Sequence, residues 1–386
     1  MRRRQRLLLT LLLVAGAVLA GLAISAALRD TTAPQVYVET TERLAASSPW
    51  ELFASADEPV TYRLVYGDET LEEIAQDTTF TVPAAAGRVV AILSATDGAG
   101  NVTELELVVF GVPQPRLELT ASDRLRSGDP LGVRLQVVQD GGDPELLARV
   151  GDIALALDGT LVPTLATADG GKAILAAPLA VEPRTLHLEA TVTDEFGRTT
   201  TTGVDVVVDP LPVTIEQLAI DAATLAVITP EGRELEARAW AAAWADLATD
   251  PRWRDTFVAP IEGVSTSGFG DARRYAPGGP VSFHNGLDLA APTGTPVHAT
   301  NEGRVVVAGA YPIKGGWVAI DHGGGVMSMY FHMSKVLVEV GDEVARGAVI
   351  GEVGSTGLST GPHLHWEMRV RELPTSPTAW VDRTFP

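Results

Sequence analysis

The chain contains no cysteine, which excludes a disulfide framework and any thiolate zinc site. Lysine is nearly absent too: Lys172, Lys314 and Lys335 are the only three, so almost all positive charge is arginine. Acidic residues outnumber basic ones 49 to 29, a formal net charge of -20. That balance argues against binding of nucleic acid or anionic lipid along the folded surface. Histidine is missing from the first 186 residues, and six of the seven fall from His284 onward. A hydrophobic content of 46% excludes wholesale disorder. At 386 residues the chain exceeds what one core organises, so two to four domains are expected.

What is there is a set of spaced histidines. His363 and His365 flank Leu364, and on an extended strand side chains two apart leave on the same face. His284 and Asp288 lie upstream in Phe283-His284-Asn285-Gly286-Leu287-Asp288, and Tyr330 and His332 form a further pair. Two histidines and one aspartate match the ligand set of a catalytic zinc site, which keeps one position open for water. The glycines Gly351, Gly354, Gly357 and Gly361 do not form a phosphate-cradling loop, because no Lys-Ser/Thr follows them. They read as tight turns and places of close backbone approach. Val340 to Gly347 is similar to the hairpin of lipoyl and biotinyl carrier domains. No lysine stands between Val336 and Glu372 to carry a cofactor, so that hairpin is scaffold.

Ordered blocks connect these residues. They start at Trp253-Arg254-Asp255-Thr256-Phe257 and Pro260, and pass through Ser267-Gly268-Phe269-Gly270, His284 to Asp288 and Ala291 to Val297. They continue with Ile320-Asp321-His322-Gly323 and Tyr330-Phe331-His332-Met333-Ser334, and close with Gly354 to His365. In these blocks residues 253–386 resemble the lysostaphin-like (LytM-type) zinc metallopeptidases, which cut peptidoglycan peptides. Met333 stands where the family pattern has leucine, a volume-conserving change. The resemblance implies zinc as cofactor, His284, Asp288 and His365 as its ligands, and His332 and His363 as an unliganded catalytic pair. It implies a structural part for His322, while His298 reads as a packing residue. Two imidazoles and one carboxylate leave zinc a net positive charge that polarises an amide carbonyl and acidifies a water. His332 and His363 are then available for proton transfer and oxyanion donation; which of them takes the water's proton stays open. The implied function is a zinc metalloendopeptidase acting on peptidoglycan cross-links or stem peptides. The alternatives are a non-catalytic activator of a separate cell-wall amidase and a wall-binding scaffold. All five site positions are filled, which weighs against both.

The rest of the chain supplies an address and a spacer. Arg2, Arg3, Arg4 and Arg6 precede an uncharged run from Leu7 to Leu28, long enough to cross a ~30 Å hydrocarbon core. The expected arrangement is a cytoplasmic tail (1–6), a single-pass signal anchor (7–28) and everything after it outside the cytoplasm. Cleavage and secretion is the rival, since Ala23, Ser25 and Ala27 offer a small-residue site. Short alternating strands separated by Gly, Pro and Asp turns then predict two Ig-like β-sandwiches, 35–113 and 114–210. Ala95 to Asn101 is echoed by Val192 to Arg198, an offset of 97 residues. These blocks read as a spacer or as a wall-binding module. A connector (211–252) follows, with a helix capped by Thr229, opened by Pro230 and ended before Asp250-Pro251. Trp240 and Trp244 share one helix face, and that face is expected to dock on a neighbouring domain. The predicted fold is mostly β, ending in an antiparallel-β zinc peptidase domain (253–386).

Overall fold

The computed structural model describes residues 30–140, 142–217, 222–274 and 278–385, and they are mostly β-strand. The expected anchor at 7–28 lies outside the described residues. Among the described residues no helix is long and apolar enough to cross a membrane. The chain divides into two compact units, one holding the residues up to Arg116 with Val138–Gly151 and Thr193–Thr200, the other holding Leu117–Val137, Asp152–Val192 and Thr201–Pro386.

In the first unit the strands from Val36–Thr40 to Val102–Val112 form one six-stranded sheet. Its long strand Pro49–Tyr66 alternates buried and outward residues, placing Trp50, Leu52 and Ala54, then Val60, Tyr62, Leu64 and Tyr66, in the core. The first half of that strand pairs with Val36–Thr40 and the second half with Gly87–Thr96. The change of partner follows an irregularity between Ser55 and Val60, so one strand serves two pairings around a single core. The two echoed turns have the same construction. Asp97 accepts from the backbone N–H groups of Ala99 and Asn101, and Asp194 from those of Phe196 and Arg198. An aspartate that hydrogen-bonds its own turn in this way is the physical content of the repeat.

In the second unit, a five-stranded and a four-stranded sheet share a core of Leu131, Val133, Leu135, Leu175, Leu186, Leu188 and Val206. Beyond it an eight-stranded sheet carries the histidines. Its strand order is Val264–Ser267, Leu287–Ala290, His363–Val370, Val326–Met333, Gly315–Gly323, Gly303–Tyr311 and Glu343–Val344, with Leu373–Thr375 paired to His363–Val370. Its central strands are buried on both faces, which explains the unbroken apolar run Trp317-Val318-Ala319-Ile320. On one face Val318, Ile320, Tyr330, Leu364, Trp366 and Met368 pack on Phe257, Val297, Ile350 and Trp380. On the other, Val307, Trp317, Ala319, Met327, Met329 and Phe331 meet the connector.

That connector is the helix Pro230–Ala245, with Thr229 accepting from the Gly232 N–H as its cap. Trp240 and Trp244 face the sheet, and the Trp240 ring lies 6.4 Å from that of Trp317. Glu236 is buried, accepts from the N–H groups of Ile313 and Lys314 and pairs with the Lys314 ammonium at 3.3 Å. The stretch before the helix adds Ile215–Gln217 in parallel to Ala272–Arg274, which pairs with Val281–Phe283. It therefore packs against the segment leading into His284.

Candidate metal centre

Register assembles the site. Asp288 and His365 stand directly opposite on neighbouring antiparallel strands, and Phe331 faces His365 from the other side. Directly paired residues on one face have adjacent side chains, so the carboxylate and the imidazole meet, with Asp288 Oδ1 2.8 Å from His365 Nδ1. His284, in the turn before Leu287–Ala290, brings Nε2 to 3.1 Å from Asp288 Oδ1 and 3.0 Å from His365 Nδ1. Glycine is required between them: a Cβ on Gly286 would lie 2.5 Å from the Trp366 carbonyl oxygen and 2.8 Å from His365 Nε2.

The outward nitrogens of both imidazoles are occupied. His284 Nδ1 donates to the Gly268 carbonyl at 2.8 Å, and His365 Nε2 donates to Glu367 Oε1 at 3.1 Å. Those bonds fix the tautomers and leave His284 Nε2 and His365 Nδ1 as lone-pair donors aimed at one point beside Asp288. Burial opposes ionisation of Asp288, but hydrogen bonds with His284 and His365 outweigh it and hold the carboxyl well below its usual range. Burial likewise opposes a charged His365, yet Asp288 and Glu367 push it up. The donor set, two neutral nitrogens and one carboxylate oxygen with outer partners on each histidine, fits a zinc ion.

Two more imidazoles adjoin this cluster. The His363 ring lies 4.8 Å from that of His332, and His363 Nε2 is 3.9 Å from Asp288 Oδ1. His332 Nδ1 donates to the Thr356 carbonyl and His363 Nδ1 to the Gly361 carbonyl, at 2.9 and 2.8 Å. Both rings thus keep Nε2 as the unprotonated nitrogen. Burial, reinforced by His365 and His363, pushes His332 down to about 3, so it is neutral at pH 7. Its backbone sits at φ 64, in the left-handed region, where a non-glycine residue is strained. Thr356 holds it there from both sides, its carbonyl taking the ring N–H and its hydroxyl bridging the Gly316 N–H and the Met333 carbonyl.

The five predicted positions therefore converge. His322 and His298 stand elsewhere. His322 is fully buried, bonded to the Glu302 carbonyl and the Ser328 hydroxyl, and His298 bonds the Gly347 carbonyl. Glu367 and Arg369 were missed. Their signal was present, since residues 363, 365, 367 and 369 share one face of a single strand. Arg273 was also missed; it reaches within 3.4 Å of Asp288 Oδ2 from a strand the sequence did not mark.

Comparison with known proteins fits this geometry. A profile described as Peptidase family M23 matches residues 282–377. Peptidoglycan DD-endopeptidase ShyB of Vibrio cholerae is 43% identical over 109 residues, 28% of this chain and 26% of that protein. Peptidoglycan DD-endopeptidase ShyA of the same organism is 48% identical over 96 residues, 25% of this chain and 22% of that protein. The chain thus spans about a quarter of the length of these relatives. Among solved structures, the catalytic domain of the antimicrobial peptidase lysostaphin from Staphylococcus simulans is 34% identical. The match covers 30% of this chain and 90% of that one, with a TM-score of 0.28. The family is one of zinc metallopeptidases, in agreement with the donor set. Residues 282–377 are thus a peptidase family M23 domain.

Proposed function

We propose that the protein is a zinc metalloendopeptidase that hydrolyses peptide bonds in peptidoglycan cross-links or stem peptides. The observation that carries this reading is the convergence of His284 Nε2, Asp288 Oδ1 and His365 Nδ1 beside two imidazoles that present free Nε2 atoms. Zinc, when bound by the three ligands, supplies Lewis acidity toward the scissile carbonyl and toward an attacking water. The chain's own groups handle the protons. Because His332 and His363 both give Nδ1–H to backbone carbonyls, either Nε2 is poised to accept the water's proton as the C–O bond forms. The imidazole that takes it becomes a cation whose Nε2–H is a donor to the oxyanion. It then returns the proton to the departing amine as the C–N bond breaks.

Two further parts of the reading concern placement. The apolar run from Leu7 to Leu28 behind an Arg-rich start supports a single-pass membrane anchor with the enzyme on the outer side, where the polymer substrate is found. The two β blocks, read as Ig-like, then act as a spacer that carries the peptidase toward the wall. Incubating the protein with purified peptidoglycan of several cross-link types, with and without a chelator, tests the activity. Release of cleaved peptides, seen by mass spectrometry and abolished by the chelator, is expected. Release that persists with the metal stripped, or no release from any polymer, would refute the assignment. Fractionation of cells tests the anchor, and recovery of a soluble form beginning near Ala26 or Leu28 would replace it with secretion.

A further inference from the structure

Glu367 and Arg369 are charged residues only 5% and 6% exposed, on the sheet face that carries the site. Burying an ion pair is costly and is sustained only when every charge is well paired. Here the pairing continues in one direction. Glu367 Oε1 takes the His365 Nε2–H, and Glu367 Oε2 lies 2.6 Å from Arg369 Nε. Arg369 also donates to the Glu372 carbonyl, and its guanidinium lies over the Trp240 ring at 4.5 Å. Trp240 belongs to the helix Pro230–Ala245, outside residues 282–377, and is backed by Trp244 at 6.0 Å and Trp317 at 6.4 Å. Indole is the best aromatic face for a cation, and the contact strengthens where water is excluded.

We propose that Trp240, Arg369 and Glu367 form a positioning relay for the metal centre, so that the connector helix sets how His365 presents Nδ1 to zinc. This rests on the reading of His284, Asp288 and His365 as the zinc ligands. The logic runs outward from the ligand. His365 offers Nδ1 in the right direction only while Nε2–H is held by Glu367. The Glu367 carboxylate keeps its orientation only while its second oxygen is held by Arg369. Arg369 has carboxylate and carbonyl partners in its plane, so the indole is what holds its open face. A residue in the connector thereby reaches the ligand His365 through two side chains, Arg369 and Glu367, without touching substrate.

The test measures zinc affinity of the full chain by competition with a chromophoric chelator, and uses cobalt(II) substitution to read ligand geometry from the visible spectrum. Glu367→Gln should weaken zinc by ~10- to 100-fold, the usual range for a lost outer partner. Trp240→Ala should weaken it several-fold and alter the cobalt spectrum, and Trp240→Phe, which restores an aromatic face, should recover most of the loss. In the Glu367→Gln background, Trp240→Ala should add little, because the relay is already broken. Arg369→Lys, which keeps the charge but not the flat guanidinium, should behave like Trp240→Ala, and it carries the test if the alanine variant fails to fold. Wild-type affinity in Trp240→Ala or Arg369→Lys would overturn the relay, as would an equal loss in both backgrounds. A wild-type chain that binds no zinc would instead overturn the ligand assignment itself.

Discussion

Acid should unfold the peptidase block through His322, a residue that takes no part in metal binding. The ring is fully buried beneath the sheet, hydrogen-bonded to the Glu302 carbonyl and the Ser328 hydroxyl. The Ser328 Oγ in turn lies 2.9 Å from the Tyr330 hydroxyl, which accepts the Thr300 N–H. Burial drives His322 from 6.5 down to about 4, and the Glu302 carbonyl recovers only part of the difference. Between those two values the unfolded chain binds a proton that the folded chain refuses, so stability falls as pH drops from 6.5 and the loss is complete below about 4. The gap corresponds to about 3 kcal/mol, a large fraction of the stability of an ordinary domain. The perturbation is His322→Gln, which keeps polar groups toward both partners but does not ionise. Six of the seven tryptophans lie from Trp240 onward, so denaturant unfolding followed by tryptophan fluorescence reports mainly on this region. A chelator should be present throughout, so that metal-linked protons do not enter. The variant is expected to be less stable than wild type at pH 7 but to lose about 3 kcal/mol less between pH 6.5 and 4. His332 and the carboxylates titrate in both proteins and cancel in the comparison. Parallel stability profiles for the two proteins would refute the reasoning.

Three other outcomes are expected. His332→Ala and His363→Ala should each retain zinc by metal analysis yet cut peptidoglycan ~10²–10⁴-fold more slowly; full turnover in either would remove that residue from proton transfer. Asp288→Asn should lower zinc occupancy sharply, because it removes the only anionic ligand, and equilibrium dialysis against buffered zinc gives the comparison. Gly286→Ala should impair metal binding as well, since its Cβ has nowhere to go between the Trp366 carbonyl and the His365 ring. Normal affinity in that variant would show that the turn shifts at little cost.

The sequence by itself determined the chemistry. Spaced histidines and one aspartate, in a chain without cysteine, specify a nitrogen and oxygen donor set. The period of two at His363 and His365 fixes which side chains share a face, because successive residues on a strand point oppositely whatever the strand pairs with. The helix was legible for the same local reason, since Thr229 and Pro230 satisfy its first turn without outside help. The aspartate turns at Asp97 and Asp194 also close within a few residues of themselves. Tertiary structure decided whatever depends on partners distant in the chain. Register set Asp288 opposite His365, and strand order put the connector helix on the same sheet face as the metal site. The long strand Pro49–Tyr66 likewise takes partners from Val36–Thr40, Glu69–Pro83 and Gly87–Thr96. Local pattern reveals which face a residue is on, but not what covers that face. Arg369 therefore reads as an ordinary strand arginine until Trp240, from a helix more than a hundred residues earlier, closes over its guanidinium.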